Sequence, residues 1–163
     1  MIVVSDSSPL IALCDLGKLD LLQKLYGRVI LPDAVWSETA IAGEDQPGRK
    51  TLFRASWIEH VKVQNQMLVK SLFQKLDIGE SEAIALALEL DADLLLMDER
   101  LGRKVATRLG IAVTGVVGLL LMAKSQGYLP AVKPELDRLR SELDFWVNES
   151  LYRQALLLAG EAS

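Results

Sequence analysis

The sequence predicts an α/β protein whose mostly parallel sheet is covered by helices on both faces. Short runs typical of buried strands occur at 2–4, 28–31 and 94–97, and segments with the apolar spacing of helices separate them. Parallel strands need a crossover connection, which is usually a helix. The alternation of strands and helices over the first 130 residues therefore indicates a parallel sheet between helical layers.

The first part of the chain predicts two strands, each followed by helices. The strands are predicted at 2–4 and 28–31, and the helices at 9–16, 19–25 and 33–40. Ser8 stands before Pro9, and a serine before a proline at the first helical position is a helix-start signal. Ser8 is therefore the predicted cap of the first helix. The segment 43–48 contains glycines and a proline and is predicted to be an exposed loop.

The next 80 residues continue the alternation. Helices are predicted at 49–55, 67–73, 78–90, 99–109 and 116–124, and strands at 57–63, 94–97 and 111–113. Apolar and polar residues alternate within 57–63, which predicts an edge strand with one face in water. Asp77 and Glu80 are three residues apart at a helix start, which predicts a capping box.

Beyond Gly127 and Pro130 the pattern changes to helices alone, predicted at 134–143 and 145–158. We therefore divide the chain into a domain at 1–130 and a C-terminal helical hairpin at 131–163 that packs on it. The chain has 163 residues, half of them apolar. A chain of this length removes roughly 70% of its extended surface from water, so its core needs neither disulfides nor a structural metal.

Composition excludes several kinds of site. Cys14 is the single cysteine and His60 the single histidine, so there is no disulfide framework, and any metal must be bound by oxygen. The net charge of −4 gives no global basic field, so a nucleic-acid partner must be attracted by a local patch or by bound cations. No apolar run reaches the roughly 20 residues of a membrane span, and no secretory signal is recognisable. We therefore expect a soluble, cytoplasmic protein with no membrane partner.

Two predicted strands are each followed by an aspartate, Asp6 and Asp98. The carboxyl ends of strands in an open parallel sheet border the crevice where ligands bind, so both side chains are expected in one cleft. The alternative is that each aspartate caps the next helix. Because Ser8 is the predicted cap of the first helix, the functional interpretation is favoured for the pair.

Two glutamates lie on apolar helical faces. Glu38 shares a face with Ala34 and Val35, and Glu82 lies in a segment that is apolar almost all round. A carboxylate in such a place is costly unless it is paired or binds a cation. The alternative for Glu38 is a position at the margin of the apolar stripe, in reach of water. Glu80 has the capping role and is set aside.

Four carboxylates in one cleft repel one another unless divalent cations are present. Oxygen ligands in that number suit Mg²⁺ or Mn²⁺. Such ions polarise a scissile phosphate and lower the pKa of an attacking water, so the set Asp6, Glu38, Glu82 and Asp98 indicates phosphodiester hydrolysis.

The helix after Asp98 carries a second signal, a stripe of four cations opposite its apolar side. The stripe consists of Arg100, Arg103, Lys104 and Arg108. It is suited to holding a nucleic-acid backbone beside the acids. The alternative is an ordinary solvated helix face. The tryptophans at 36, 57 and 146 are far apart in sequence and are expected to pack in the core or in an interface.

Four segments that contain these residues resemble the PIN-domain ribonucleases, in particular bacterial and archaeal PIN-like proteins described only as predicted nucleic-acid-binding proteins. The segments are 3–11, 31–38, 79–86 and 94–100, read as VVSDSSPLI, LPDAVWSE, GESEAIAL and LLLMDER; the C-terminal pair Phe145–Trp146 and the helix around 151–153 are also similar. No single segment is specific, but the four in this order are.

The resemblance implies a three-layer α/β/α PIN-like fold and a metal-dependent endoribonuclease. It also implies that the chain is the toxin of a toxin–antitoxin pair, inhibited by a small antitoxin protein, and that it forms a homodimer. It assigns the metal-binding acids to Asp6, Glu38, Glu82 and Asp98, and it gives Ser8 the task of orienting Asp6. Many relatives carry a threonine where this chain has Leu96, which departs from the pattern.

Two other functions are compatible with parts of the sequence. One is a non-catalytic PIN-like module that binds RNA or protein through a vestigial site, which the four intact acids disfavour. The other is a phosphoryl-accepting signalling domain, which also has aspartates at strand ends. Such a domain needs a lysine after a later strand, and here Thr114 and Gly115 follow the strand at 111–113.

Overall fold

A five-stranded, all-parallel sheet forms the centre of the protein in a computed structural model that describes residues 1–143 and 145–162. Its strands are β1 (Val3–Ser5), β2 (Val29–Pro32), β3 (Ile58–Val61), β4 (Leu94–Leu96) and β5 (Val113–Thr114), in the order β3-β2-β1-β4-β5. β1 pairs with β2 and with β4, with Ser5 opposite Leu96. The predicted α/β class and parallel sheet are confirmed.

Helices connect the strands and follow the last one. They are α1 (Ser7–Asp15), α2 (Asp20–Tyr26), α3 (Asp33–Trp36), α4 (Lys50–Arg54), α5 (Gln66–Phe73), α6 (Ile78–Glu89), α7 (Arg100–Arg108), α8 (Val116–Ser125), α9 (Lys133–Ser141) and α10 (Glu149–Leu158). A π-helical turn covers Ser37–Ile41 and a short 3₁₀ turn covers Pro47–Arg49.

Alternate strand residues face two separate apolar clusters, as the two-residue period of a strand requires. Val3, Val29 and Leu31 pack in one cluster, which includes residues of α1, α2 and α8 to α10. Val4 and Ile30 pack in the other, which includes residues of α6 and α7. The sheet thus lies between two helical layers, and the predicted three-layer architecture is confirmed.

The predicted edge strand and capping box are both present. β3 lies at one edge of the sheet, and its Glu59 and His60 are exposed. At the start of α6, the backbone N–H of Glu80 donates to Asp77 Oδ1 at 2.7 Å, and Asp77 N–H donates to Glu80 Oε1 at 3.0 Å. Both features depend on residues close together in the chain.

The predicted start of the first helix is wrong. α1 begins at Ser7, with Asp6 in the N-cap position, so Ser8 is inside the first turn and not the cap. The first turn of a helix has backbone N–H groups without an intrahelical partner, so Pro9 is tolerated there and does not fix the start. Asp6 occupies the cap position but makes no side-chain cap hydrogen bond.

The C-terminal helices pack on one face of the sheet. Leu136, Leu139, Ala155 and Leu156 belong to the apolar cluster that contains strand residue Val3. The division of the chain near residue 130 remains a prediction. No helix in the described part of the chain is both long and apolar enough to cross a membrane.

Candidate functional site

The carboxyl ends of the two central strands place Asp6 and Asp98 at the same edge of the sheet. The backbone N–H of Asp6 donates to Leu96 O at 2.8 Å, which extends the β1–β4 pairing by one residue. Asp98 follows β4 by two residues. This edge is where ligands bind in open parallel sheets.

Asp6 is buried among other carboxylates. Its side chain is 3% exposed. Burial, with smaller contributions from the charges of Glu80, Asp77 and Glu38, raises the pKa of Asp6 to about 7, against a hydrogen bond from the Ser7 backbone that lowers it. A carboxyl held in this state favours a proton or a cation at neutral pH.

Glu38 lies in the π-helical turn that follows α3. The sequence predicts one regular helix over 33–40, and the π turn instead rotates Glu38 away from the position that regular spacing gives it. Ser7 Oγ donates to Glu38 Oε2 at 2.6 Å. A Cβ on Gly79 would lie 2.8 Å from Glu38 Oε1, so the carboxylate reaches α6 only because residue 79 is glycine. Serine and glycine together hold Glu38 beside Asp6.

Glu82 accepts a hydrogen bond at 3.0 Å from the backbone N–H of Ala34, in the first turn of α3. This contact gives Glu82 a structural task, because the first N–H groups of a helix need an acceptor from outside the helix. The carboxylate therefore fixes the short helix that leads into the turn with Glu38.

Asp98 divides its two oxygens between different roles. Oδ1 accepts from the backbone N–H of Val116 at 3.0 Å, at the start of α8. The N-cap residue there is Gly115, and a Cβ on it would overlap Oδ1. Oδ2 is buried and has no hydrogen-bond partner among the described residues. Burial raises the pKa of Asp98 to about 6, against the Val116 hydrogen bond and the positive charge of Arg103.

Glu80 is the acid that sequence reasoning set aside. It is 8% exposed, and it has the largest charge effect on the pKa of Asp6. Burial also raises the pKa of Glu80, as do the charges of Asp77, Glu99 and Glu38. The capping box uses only Oε1, so the same side chain serves the helix and faces the acids. In the sequence, the signal that could have pointed to Glu80 was its position directly after Gly79, the glycine that lets Glu38 approach α6.

The structure thus groups Asp6 with Glu38 and Glu80, and it places Asp98 at the same sheet edge and Glu82 at the first turn of α3. None of the ion pairs of the described residues involves the four predicted acids; the pairs are Lys24–Asp20, Arg28–Glu59, Lys124–Glu161, Lys133–Asp137, Arg138 with Glu135 and Glu142, and Glu149 with Arg140 and Arg153. The nearest cationic influence on the four acids is that of Arg103, which lowers the pKa of Asp98 without forming an ion pair among the described residues.

The donor set fits a hard divalent cation. The available ligands are carboxylate oxygens, and Asp98 Oδ2 finds no hydrogen-bond partner in the part of the chain that the structure describes. Within residues 1–143 and 145–162, no three His, Cys, Asp or Glu side chains form a cluster that could hold a metal. Mg²⁺ keeps several waters and takes one or two carboxylates together with substrate phosphate, so a closed cage of three is not required.

The predicted cationic stripe lies on α7 along a groove of about 820 Å³. Arg100, Lys104 and Arg108 are exposed, and Arg103 is half-buried and donates to Met97 O at 3.0 Å. Asp98 borders the same groove. The cations therefore lead to one of the candidate acids.

Ser8 is exposed, and no hydrogen bond from its side chain to Asp6 occurs in the described part of the chain. Ser7, its neighbour, is the serine that contacts an acid of the group. The assignment of Ser8 as the orienting residue stays a prediction.

A parallel sheet between two helical layers, with buried carboxylates where its central strands end, defines a class of α/β proteins that carry an acidic cleft. Within this class, a family model described as a PIN domain matches residues 2–161, so the chain belongs to the PIN-domain family. PIN domains are generally nucleases that use a divalent metal, and the fold is therefore one that supports nuclease activity and nucleic-acid binding. No curated protein and no solved structure matches the chain.

Proposed function

We propose that this PIN domain is a metal-dependent endoribonuclease that hydrolyses RNA phosphodiester bonds with Mg²⁺ or Mn²⁺. The observation that carries the proposal is the burial of Asp6 beside Glu38 and Glu80, which raises the pKa of Asp6 to about 7. Neighbouring acids that oppose each other's ionisation are typical of sites that bind a cation or move a proton.

In this proposal Asp6 and Asp98 would hold the cation, Glu38 adds its negative charge beside Asp6, and Glu82 completes the set by fixing α3 and the turn that carries Glu38. When bound, the cation polarises the scissile phosphate and lowers the pKa of the attacking water. The water forms the new P–O bond as the bond to the leaving sugar oxygen breaks. The proton lost by the water passes to a carboxylate, and Glu38 suits this step because only its Oε2 is taken, by Ser7.

The stripe on α7 positions the substrate. Arg100, Lys104 and Arg108 are exposed on the groove that Asp98 borders, so phosphates bound there bring the chain of RNA to the acids. Arg103 is bound to the Met97 carbonyl and stands beside Asp98. It is suited to a phosphate close to the cleavage point.

Asp6→Asn tests the proposal, because the amide keeps the shape of the side chain and removes its charge. We expect metal-dependent cleavage of a fluorescent RNA to fall by at least about 100-fold, a loss typical for the removal of a catalytic group. Circular dichroism should show an unchanged fold. Equal cleavage by the variant and the natural chain contradicts the proposal.

A non-catalytic module that binds RNA or protein is the second candidate. The observation that favours it is that the described acids do not form a ready cluster of three metal ligands. Titration calorimetry with Mn²⁺ separates the two functions. A nuclease site should bind the ion saturably, with a loss of binding in the Asp6→Asn variant, whereas a vestigial site should not bind it.

We further propose that the protein is the toxin of a toxin–antitoxin pair and works as a homodimer. The dimer is supported by exposed apolar side chains on α8 and α10, where Met122 is 47%, Leu157 70% and Leu158 68% exposed. Sedimentation of the purified chain tests the dimer. Growth arrest on expression, absent for Asp6→Asn and relieved by a small protein encoded next to it, tests the toxin role.

A further inference from the structure

Trp146 is the most exposed tryptophan of the chain, and it lies outside the core. Its side chain is 81% exposed, so it does not pack in the core, and packing in an interface, the other expectation, stays a prediction. Trp36 and Trp57, by contrast, are half-buried against the apolar core. An aromatic ring of this size in water is a common feature of binding surfaces.

The residues after Trp146 hold its backbone in place. Val147 is 4% exposed and belongs to the apolar core. Asn148 caps α10, because its Oδ1 accepts from the backbone N–H of Leu151 at 2.7 Å. Trp146 therefore stands directly before an anchored helix start, and its ring is presented from a fixed segment.

The ring stands where two grooves meet. One is the groove of about 820 Å³ along α7, which the four cations line. The other, of about 600 Å³, runs between the β4–α7 connection and α8 on one side and α10 on the other. Asp98, Arg103, Trp146 and Leu151 border both. A chain that follows the cations along the first groove therefore runs in a groove that Trp146 and Asp98 both border.

We propose that Trp146 stacks on a base of single-stranded RNA whose phosphates follow the stripe on α7 to Asp98. The inference rests on the proposed function and names the form of its substrate. Stacking of a base on an aromatic ring beside a track of cations is the usual way in which proteins hold single strands without reading their sequence.

The surface favours an unpaired strand over a duplex. A double helix keeps the faces of its bases stacked inside, so it has no base for Trp146 to cover. The α7 side of the groove offers Arg100, Lys104 and Arg108 to a polyanion, and the ring offers an apolar face on the opposite side. Each nucleotide of a single strand has both a phosphate for the cations and an exposed base face for the ring.

Binding of a fluorescent single-stranded oligoribonucleotide tests the proposal, with Asp6→Asn as the background so that the RNA stays intact. Trp146→Ala should weaken binding roughly 5- to 100-fold, and Trp146→Phe much less. The slope of log affinity against log salt should not change, because no phosphate contact is lost. An oligonucleotide with abasic sites should bind weakly, and Trp146→Ala should weaken it no further.

Phe73→Ala is the matched control, since Phe73 is also an aromatic residue, is 55% exposed on α5 and lines neither groove. It should leave RNA binding unchanged. The stacking is overturned if adding Trp146→Ala to the Asp6→Asn protein leaves its RNA affinity unchanged. This holds even if sedimentation shows that the Trp146→Ala change separates a dimer. RNA cleavage by the natural chain, measured in parallel, tests the proposed function separately. If the natural chain cleaves RNA but Trp146→Ala does not weaken RNA binding, only the stacking is overturned.

Discussion

Burial of the Asp6 carboxyl beside Glu38 and Glu80 makes the stability of the protein depend on pH. The pKa of Asp6 rises from 3.8 to about 7 on folding, chiefly because of burial. Between these values the folded protein holds a proton that the unfolded chain has lost. The free energy of unfolding therefore falls as the pH rises through this range.

We predict that Asp6→Asn stabilises the metal-free protein at pH 8. The amide does not ionise, so it avoids the cost of about 4 kcal/mol that a pKa raised from 3.8 to about 7 places on the ionised carboxyl at this pH. At pH 4 the natural side chain is largely protonated in the folded state, so the two proteins should be equally stable. Guanidinium unfolding with a chelator present, at pH 4, 6 and 8, measures the difference.

Asp20→Asn is the control for this prediction, because Asp20 is 58% exposed and paired with Lys24. It should show no gain that grows with pH. Mg²⁺ or Mn²⁺ should stabilise the natural protein and not Asp6→Asn, since a ligand that binds only the folded state raises its stability. A variant at position 6 that is less stable than the natural chain at pH 8 contradicts the argument.

Single residues show where sequence reasoning works and where it stops. Asp6 and Asp98 were predicted at one sheet edge, because a strand followed by an acid is a local pattern. The contact from Ala34 N–H to Glu82 joins residues 48 positions apart, and the closeness of Glu80 to Asp6 spans 74. Contacts between residues so far apart in the chain cannot be predicted from the spacing of residues within one helix.

The approach of α6 to the turn that follows α3 gives a prediction for Gly79. An added methyl group at this helical position meets the two oxygens of Glu38 at 2.8 and 3.0 Å. The carboxylate is the end of a flexible chain and can move aside, while alanine favours a helix over glycine by about 1 kcal/mol. Gly79→Ala should therefore keep the stability within about 1 kcal/mol and weaken Mn²⁺ binding in calorimetry.

A second variant shows whether the effect acts through Glu38. Glu38→Gln alone should weaken Mn²⁺ binding, and adding Gly79→Ala to it should change little more, because coupled sites are not additive. If the effects of the two changes on Mn²⁺ affinity are fully additive, or if Gly79→Ala leaves Mn²⁺ affinity unchanged, the contact between residue 79 and the Glu38 carboxylate is not the reason for the glycine.

The four cations of α7 are expected to differ in their effects. Lys104 is exposed, so Lys104→Ala should reduce the salt slope of single-stranded RNA binding by about 0.7 and leave unfolding unchanged. Arg103 donates to Met97 O, so Arg103→Ala should also lower the free energy of unfolding by about 1 kcal/mol. Lys24→Ala, on α2 and outside the groove, is the control; equal salt slopes for the Lys104 and Lys24 variants contradict the role of the stripe.

Elements were predicted well where short-range chemistry decides them. The capping box of Asp77 and Glu80 was correct, because both hydrogen bonds join residues three apart. The start of α1 was wrong, since a serine next to a proline is compatible with several positions in a first turn. The π turn at Glu38 has no local signal of this kind and was missed.

At the scale of the whole molecule, the sequence predicted the layers better than the contacts between them. Parallel strands joined by helices leave few arrangements, which is why the sheet and both covering layers could be foreseen. The attachment of the segment after α10 could not be predicted, because it depends on contacts between Glu161 and residues 28 to 37 positions earlier in the chain. Its carboxylate binds the Lys124 ammonium on α8 at 2.8 Å and caps the start of α9 through the backbone N–H groups of Val132 and Lys133.

We predict that Glu161→Gln loosens this attachment and lowers the free energy of unfolding by about 1 to 3 kcal/mol at pH 7, because hydrogen bonds to a charged group are lost. Burial opposes ionisation, yet the Lys124 and backbone contacts lower the pKa of Glu161 from 4.5 to about 2. This stabilisation is therefore complete above pH 4.5 and disappears as the pH falls towards 2, so the difference from the natural chain should shrink over that range. Denaturant unfolding at both ends of the range measures it, with Glu142→Gln, a 62% exposed partner of Arg138, as the control that should change little. Equal stability of Glu161→Gln and the natural chain at pH 7 would contradict this role of the Glu161 carboxylate.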